Sequence, residues 1–393
     1  MPVAVVGLPV AVGISSDRSS IASDATTCLA SDRSTAYDTC EKPKTLSKTA
    51  AAAVLQQNDS QWASGLCHTT AESVQAHPLR IVILDNSGSM RAADGKKLVF
   101  HGGSYKSIGC SRWQELVADV RGIAMMSDVL GARTDLHLLN PVPSFNALSL
   151  KTDAYDGGIA PVGRTVDVPE LERLLDRINP GGTTPLTESV MSIVSMITPM
   201  APRLRASGQS VAVLICTDGM PNDKNSFVQA MRVLQTLPVW CVVRLCTDED
   251  AVVDFWNDLD RQLEAPLEVL DDVHGEASEV YTFNSWLTYA PPLHMARLFG
   301  LHEKLFDALD EQALMPSQIR TFIQLLFGLS DLPEPELDRP GFVEAVRQAL
   351  QEQPLAYDSR SRRMKPWIDL RKLEQALTPG VRCGKDAGGC MIM

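Results

Sequence analysis

From residue 77 onward the chain alternates short, unbroken apolar runs with stretches whose apolar positions recur every three or four residues. The runs at 79–84, 134–140, 211–216 and 238–245 read as strands covered on both faces, since such a strand has no polar side to show. Helical spacing appears at 112–130, 168–178, 185–198 and 250–264, and in a segment that ends near Leu237. Ser111 and Gln114 form a capping box ahead of Trp113, Leu116, Val120 and Ile123, and Asn222 or Asp223 is placed to cap the helix that reaches Leu237. Strands that alternate with helices in this way predict an α/β domain over 77–279.

After about 280 the pattern becomes wholly helical. Leu298, Leu301, Leu305 and Leu309 share a face; Ile319, Phe322, Ile323 and Leu326 form a second stripe; Phe342, Val346, Ala349 and Leu350 form a third. Residues 280–378 therefore read as a small helical region behind the α/β domain, and 379–393 as a flexible tail. The first 76 residues are rich in Ser, Thr, Ala and Asp, with Tyr37 and Trp62 as their only aromatics. They are expected to form a disordered, low-complexity tail, because so little apolar surface does not offset chain entropy. The segment 91–110, with turn signals at Asp94, Gly95, Gly102 and Gly103, is long for a strand-to-helix connection and reads as a hairpin or a specificity loop.

The net charge of −12 argues against a nucleic-acid binder, which needs a basic face. No apolar run approaches the ~20 residues of a membrane span. The nine cysteines are odd in number and lack any C-x-x-C pair, which fits a reducing cytosol better than a disulfide framework. The opening MPVAVVGLPVAVGI lacks a basic start and is broken by Gly7, Pro9 and Gly13, so it does not read as a signal peptide.

Three segments carry candidate chemistry: LRIVILDNSGSM at 79–90, NPGGTTPLTESV at 179–190 and VAVLICTDGMPND at 211–223. Asp85, Ser87 and Ser89 alternate along the loop after the first strand, so a curling loop can aim all three oxygens at one point. Thr184, or its neighbour Thr183, and Asp218 add two oxygens from the other loops. A mixed set of carboxylate and hydroxyl oxygens suits a hard octahedral cation that keeps some water, which points to Mg²⁺, with Mn²⁺ as a second choice. A phosphatase of the haloacid dehalogenase type would carry a second Asp at position 87, and this chain has Ser87 there.

In these residues the chain resembles the von Willebrand factor A domains. DNSGS, GGTTPL and TDG are similar to the D-x-S-x-S, Thr and Asp elements of their metal-ion-dependent adhesion site, in the same order. The resemblance covers roughly 77–275. It implies a doubly wound, mostly parallel, Rossmann-like sheet with the metal at the carboxyl edge of the strands. It also implies serines and a threonine on the metal, aspartates that often act through water, and one coordination position open to a partner's carboxylate. The T-P-L register favours Thr184 as the ligand, and counting from the glycines favours Thr183.

The last four residues, Cys390, Met391, Ile392 and Met393, form a C-a-a-X box of the farnesylation type. From Ser359 to the end, eight basic residues face three acidic ones, a net +5, and the remainder carries −17, the two adding to the chain's −12. A lipid chain beside a basic segment is a two-signal membrane anchor. These features predict a cytoplasmic protein, peripheral on a membrane, whose metal site captures an Asp or Glu of a partner protein. The alternative is an accessory subunit or metal-dependent enzyme acting on a carboxylate or phosphate. Against it, the sequence has no P-loop, H-E-x-x-H or G-x-S-x-G motif and no evident general base.

Overall fold

The computed structural model describes residues 55, 61–101, 104–153, 160–263 and 267–378. A seven-stranded sheet with the order β6-β5-β4-β1-β7-β8-β9 forms its centre. The strands are β1 (Leu79–Leu84), β4 (Arg133–Val142), β5 (Phe145–Leu150), β6 (Arg164–Thr165), β7 (Val211–Thr217), β8 (Val239–Leu245) and β9 (Leu267–Leu270). β1 pairs in parallel with both β4 and β7, β7 with β8, and β8 with β9. Only β5 runs antiparallel to its neighbour β4, and β6 pairs in parallel with β5. The expected α/β, doubly wound and mostly parallel sheet is the fold observed.

Side chains alternate between two cores. On β1, Leu79, Ile81 and Ile83 enter one core with Val213 and Ile215 of β7 and Cys241 and Val243 of β8. Val82 and Leu84 enter the other with Leu214, Cys216, Trp240 and Val242. Helices Leu186–Ile197, Lys224–Gln235 and Asp250–Gln262 cover the first face. Helices Arg112–Leu130, Val168–Leu175 and Pro291–Leu298 contribute to the second. Burial on both sides is why these strands read as continuous apolar runs.

The local start signals hold. Ser111 accepts from the Gln114 amide while Gln114 returns the bond, a complete capping box. Asp223, rather than Asn222, caps the helix Lys224–Gln235 by accepting from the Asn225 and Ser226 amides. The segment 91–110 is largely an antiparallel hairpin of β2 (Gly95–His101) and β3 (Ser104–Cys110).

The domain boundaries drawn from sequence need correction. The helix Ser64–Ala76 is part of the core, with Leu66 and Cys67 fully buried and Trp62 only 4% exposed. Ser64 Oγ donates to the Phe327 carbonyl at 2.8 Å, and Gln61 Oε1 accepts from the Tyr357 amide at 2.7 Å. The low-complexity composition concealed a helix that buries Leu66 and Cys67 and packs Ala71 and Val74 against the core. Residues 1–54 lie outside the described residues, as does 379–393.

The cut at 279 also falls inside a helix, Val273–Phe283. Residues of the C-terminal helices Lys304–Glu311, Pro316–Phe327 and Arg339–Gln351 belong to the same core as the sheet. The described residues all fall in one compact unit. The C-terminal part is not wholly helical, because β10 (Ala356–Asp358) and β11 (Arg363–Lys365) form an antiparallel ribbon. The expected leucine stripe at 298–309 is divided between two helices by Gly300, which has φ +90° and sits where a Cβ would come 3.0 Å from Ala212 Cβ.

Gly65 shows how tightly the N-terminal helix is seated. A Cβ there would lie 2.0 Å from the Gly328 amide nitrogen and 2.2 Å from the Leu325 carbonyl oxygen, both backbone atoms. Gly65→Ala is therefore expected to destabilise the protein by about 3 kcal/mol, the upper end of ordinary overpacking. Urea unfolding of the two proteins measures it, and an unchanged midpoint would show that this helix is not docked as described.

Candidate metal centre

The chain passes from β1 to β4 on one side of β1 and returns to β7 on the other, so β1 and β7 flank a topological switch point. Ligand sites of open α/β sheets form outside the carboxyl ends of such strands. Asp85 directly follows β1 and Asp218 directly follows β7. The Asp85 amide donates to the Cys216 carbonyl at 2.9 Å, which holds the two strand ends together.

Asp85 is fully buried. Its Oδ1 accepts from the Ser87 amide at 2.8 Å and its Oδ2 from the Thr217 hydroxyl at 2.7 Å. Burial pushes the Asp85 carboxyl above its ordinary range; the bonds from Thr217 and Ser87 oppose that rise, and the charge of Asp218 adds to it. Ser87 Oγ lies 3.0 Å from Ser89 Oγ, and Ser89 Oγ donates to Asp218 Oδ1 at 2.8 Å. Ser87 and Asp218 are buried while Ser89 is exposed, so the oxygens run from the sheet edge to the surface.

The third loop is docked by backbone contacts. The Gly181 amide donates to the Asn86 carbonyl at 2.8 Å, and the Gly88 amide to the Gly182 carbonyl at 3.3 Å. Asn86 and Asn140, at the end of β4, exchange side-chain and backbone bonds of 2.8 Å in both directions. Asn140 Nδ2 also donates to the Thr183 carbonyl at 2.8 Å. Gly182 has φ +96° and sits where a Cβ would meet Asn140 Oδ1 at 2.3 Å, so both its conformation and its packing require glycine.

The two threonines differ in setting. Thr183 is exposed, whereas Thr184 is partly buried and its Oγ1 lies 3.9 Å from where a Cβ on Gly219 would stand. Its hydroxyl therefore lies against the loop of Asp218. The structure thus brings Asp85, Ser87, Ser89 and Asp218 into one hydrogen-bonded chain, with Thr184 at its side.

Two participants were not singled out from sequence. Thr217 orients Asp85, and its place beside Asp218 in T-D-G was the available signal. Arg112, the first residue of its helix, donates to Asp218 Oδ2 at 3.0 Å, to Asp94 through two bonds of 2.9 and 2.7 Å, and to Glu249 at 3.0 Å. The bonds to Asp94, above all, hold its guanidinium firmly charged. Asp94, Asp218 and Glu249 outnumber this cation, so with Asp85 the rim remains net negative.

No family model matches the chain, and no curated protein matches it. Among solved structures, that of the manganese-loaded TRAP protein of Plasmodium vivax aligns over 50% of this chain and 69% of that one, at 12% identity and a TM-score of 0.29. A likeness of that degree carries no conclusion about the chemistry of this chain.

Proposed function

We propose that the loops after β1 and β7 hold one divalent cation, Mg²⁺ or Mn²⁺, in an adhesion-type site that receives an Asp or Glu of a partner protein. The observation that carries this reading is the chain of oxygens from Ser87 through Ser89 to Asp218, with spacings of 3.0 and 2.8 Å. Neighbouring oxygens of an octahedral ion bound at 2.0–2.1 Å stand about 2.9 Å apart. Ser87, Ser89 and Thr184 would bind as neutral ligands, and Asp85 and Asp218 would balance the charge. A cation held there would supply an electrophilic position for a carboxylate. The exposed position of Ser89 leaves that position reachable by a side chain from outside.

Membrane association through a prenylated Cys390 is the second part of the proposal. Cys390 lies outside the described residues. No helix among the described residues is long and apolar enough to cross a membrane. Part of the basic segment is already engaged: Arg360 stacks 3.4 Å from the Tyr281 ring, Lys365 bonds Asp358 at 2.5 Å, and Lys372 bonds the Tyr281 hydroxyl at 3.1 Å. The lipid, rather than these cations, would therefore carry most of the affinity.

Partner capture by the full chain in Mg²⁺ and in chelator tests the first part, with Ser89→Ala as the control that removes an exposed donor. Capture is expected in Mg²⁺ only and from the parent protein only. Equal capture under all conditions would end the metal reading. Cell fractionation tests the second part: Cys390→Ser should move from membranes to the soluble fraction, and identical fractionation of both proteins would remove the anchor.

A further inference from the structure

Beside the sheet-edge strand β9 lies a cavity of about 190 Å³ whose lining is strongly acidic. Asp260, Glu268, Glu279, Asp307, Asp310 and Glu311 all line it, and Arg297 is the one cationic residue among the described lining residues. The guanidinium of Arg297 is already fully engaged. It donates to Glu268 Oε1 at 2.6 Å, to Glu276 Oε2 at 2.7 Å, to Asp310 Oδ2 at 2.9 Å and to the Tyr289 hydroxyl at 3.2 Å.

That leaves negative charge without a counterpart. Glu268 is 6% exposed, and its second oxygen, Oε2, is buried with no hydrogen-bond partner. Asp307 Oδ1 is buried and unpartnered in the same way. A buried carboxylate oxygen lacking a donor is costly unless a proton or a cation meets it. Burial pushes Glu268 up to about 8 and Asp307 up to about 6, with the charge of Arg297 opposing both rises. Glu276, Glu279 and Asp310 each offer one carboxylate oxygen, and these oxygens lie within 4.8 Å of one another. Two ligands on opposite sides of a Ca²⁺ held at 2.3–2.6 Å stand about 5 Å apart, so one ion can reach all three.

We propose that the cluster of Glu276, Glu279 and Asp310 is a second divalent-cation site, of the calcium type, at a cavity that Glu279 and Asp310 share with the buried Glu268 and with Asp307. The donor chemistry distinguishes it from the loops at β1 and β7. This site offers carboxylate oxygens in place of the mixed hydroxyl and carboxylate set of the loops, which suits a large oxygen-liganded ion better than Mg²⁺. When ionised, the five carboxylates exceed the one guanidinium by four negative charges, which a dication would reduce. The site ties the helices Val273–Phe283 and Lys304–Glu311 to the edge strand, so its occupancy would stiffen the joint between the sheet and the C-terminal helices.

The test is calorimetry and thermal unfolding of the full chain with Ca²⁺ at pH 9, above the values to which burial pushes Glu268 and Asp307. Two backgrounds, Asp85→Asn and Ser89→Ala, remove contributions from the loops at β1 and β7. Each should still bind one Ca²⁺ and melt at a higher temperature with it. Adding Glu279→Gln, an exposed position that should not disturb folding, or Glu268→Gln should weaken Ca²⁺ binding at least tenfold and abolish the melting shift. Absence of Ca²⁺ binding in both backgrounds would overturn the proposal, as would binding that Glu279→Gln and Glu268→Gln leave unchanged. Failure of the loop site would appear instead as a loss of Mg²⁺ and Mn²⁺ binding in the parent protein, with this measurement unaltered.

Discussion

Arg297→Met is expected to destabilise the protein by about 3–5 kcal/mol, the range for removing one partner of a buried ion pair. The guanidinium is 1% exposed and is bonded to Glu268, Glu276 and Asp310, two of which are themselves buried. Methionine fills much of the volume and supplies none of the charge, so three carboxylates would face one another. The penalty should shrink as pH falls, because each carboxyl can then take up a proton. The parent protein should show the same tendency more weakly. Glu268 is raised from 4.5 to about 8 in the folded state, so the folded chain binds the extra proton more tightly than the unfolded chain. Its contribution is fully present below about pH 4.5 and is lost as pH rises through 8. Denaturant unfolding of both proteins at pH 5.5 and pH 8.5, without added metal, measures these effects. A variant as stable as the parent at pH 8.5 would show that Arg297 is not the counterion.

Asp85→Ala should lower the affinity of the loops at β1 and β7 for Mg²⁺ and Mn²⁺ by about a hundredfold, roughly 2.7 kcal/mol. The substitution removes a buried negative charge and also the acceptor that holds the Ser87 amide and the Thr217 hydroxyl. Ser87→Ala removes one neutral oxygen and should cost less. The two threonines separate cleanly: Thr184→Ala should weaken binding and Thr183→Ala should not, since the contact seen for Thr183 is made by its carbonyl. Calorimetry on the four variants gives the ranking. Equal affinities for the parent and Asp85→Ala would remove the site assignment, and a larger loss in Thr183→Ala would reassign the ligand.

Much of this was legible in the order of residues. Strands β1, β4, β7 and β8 stand where the apolar runs placed them, and the capping residues Ser111 and Asp223 begin their helices. The loop motif around Asp85, Ser87 and Ser89 could be found because its oxygens lie within five consecutive residues. Other elements left too little local trace. β6 has two residues and β9 has four, too few to show a periodicity of their own. The helix Ser64–Ala76 was hidden because its apolar residues repeat only weakly at helical spacing.

The sequence by itself determined the secondary elements with strong period or caps, the two-sided burial of the central strands, and which loop residues are candidates for the site. These follow from interactions between residues a few positions apart, which period and capping record directly. Only the tertiary structure decided that Asn140 and Gly182 lock the third loop, that Thr184 lies against the Asp218 loop, and that Arg112 bonds Asp218 across 106 positions. It alone gathered Glu268, Glu276, Asp310 and Arg297 from four separate elements. A hydrogen bond between charged groups depends on a separation near 3 Å. For residues on different elements, that separation is set by how the helices and strands pack and leaves no mark on the local order of residues.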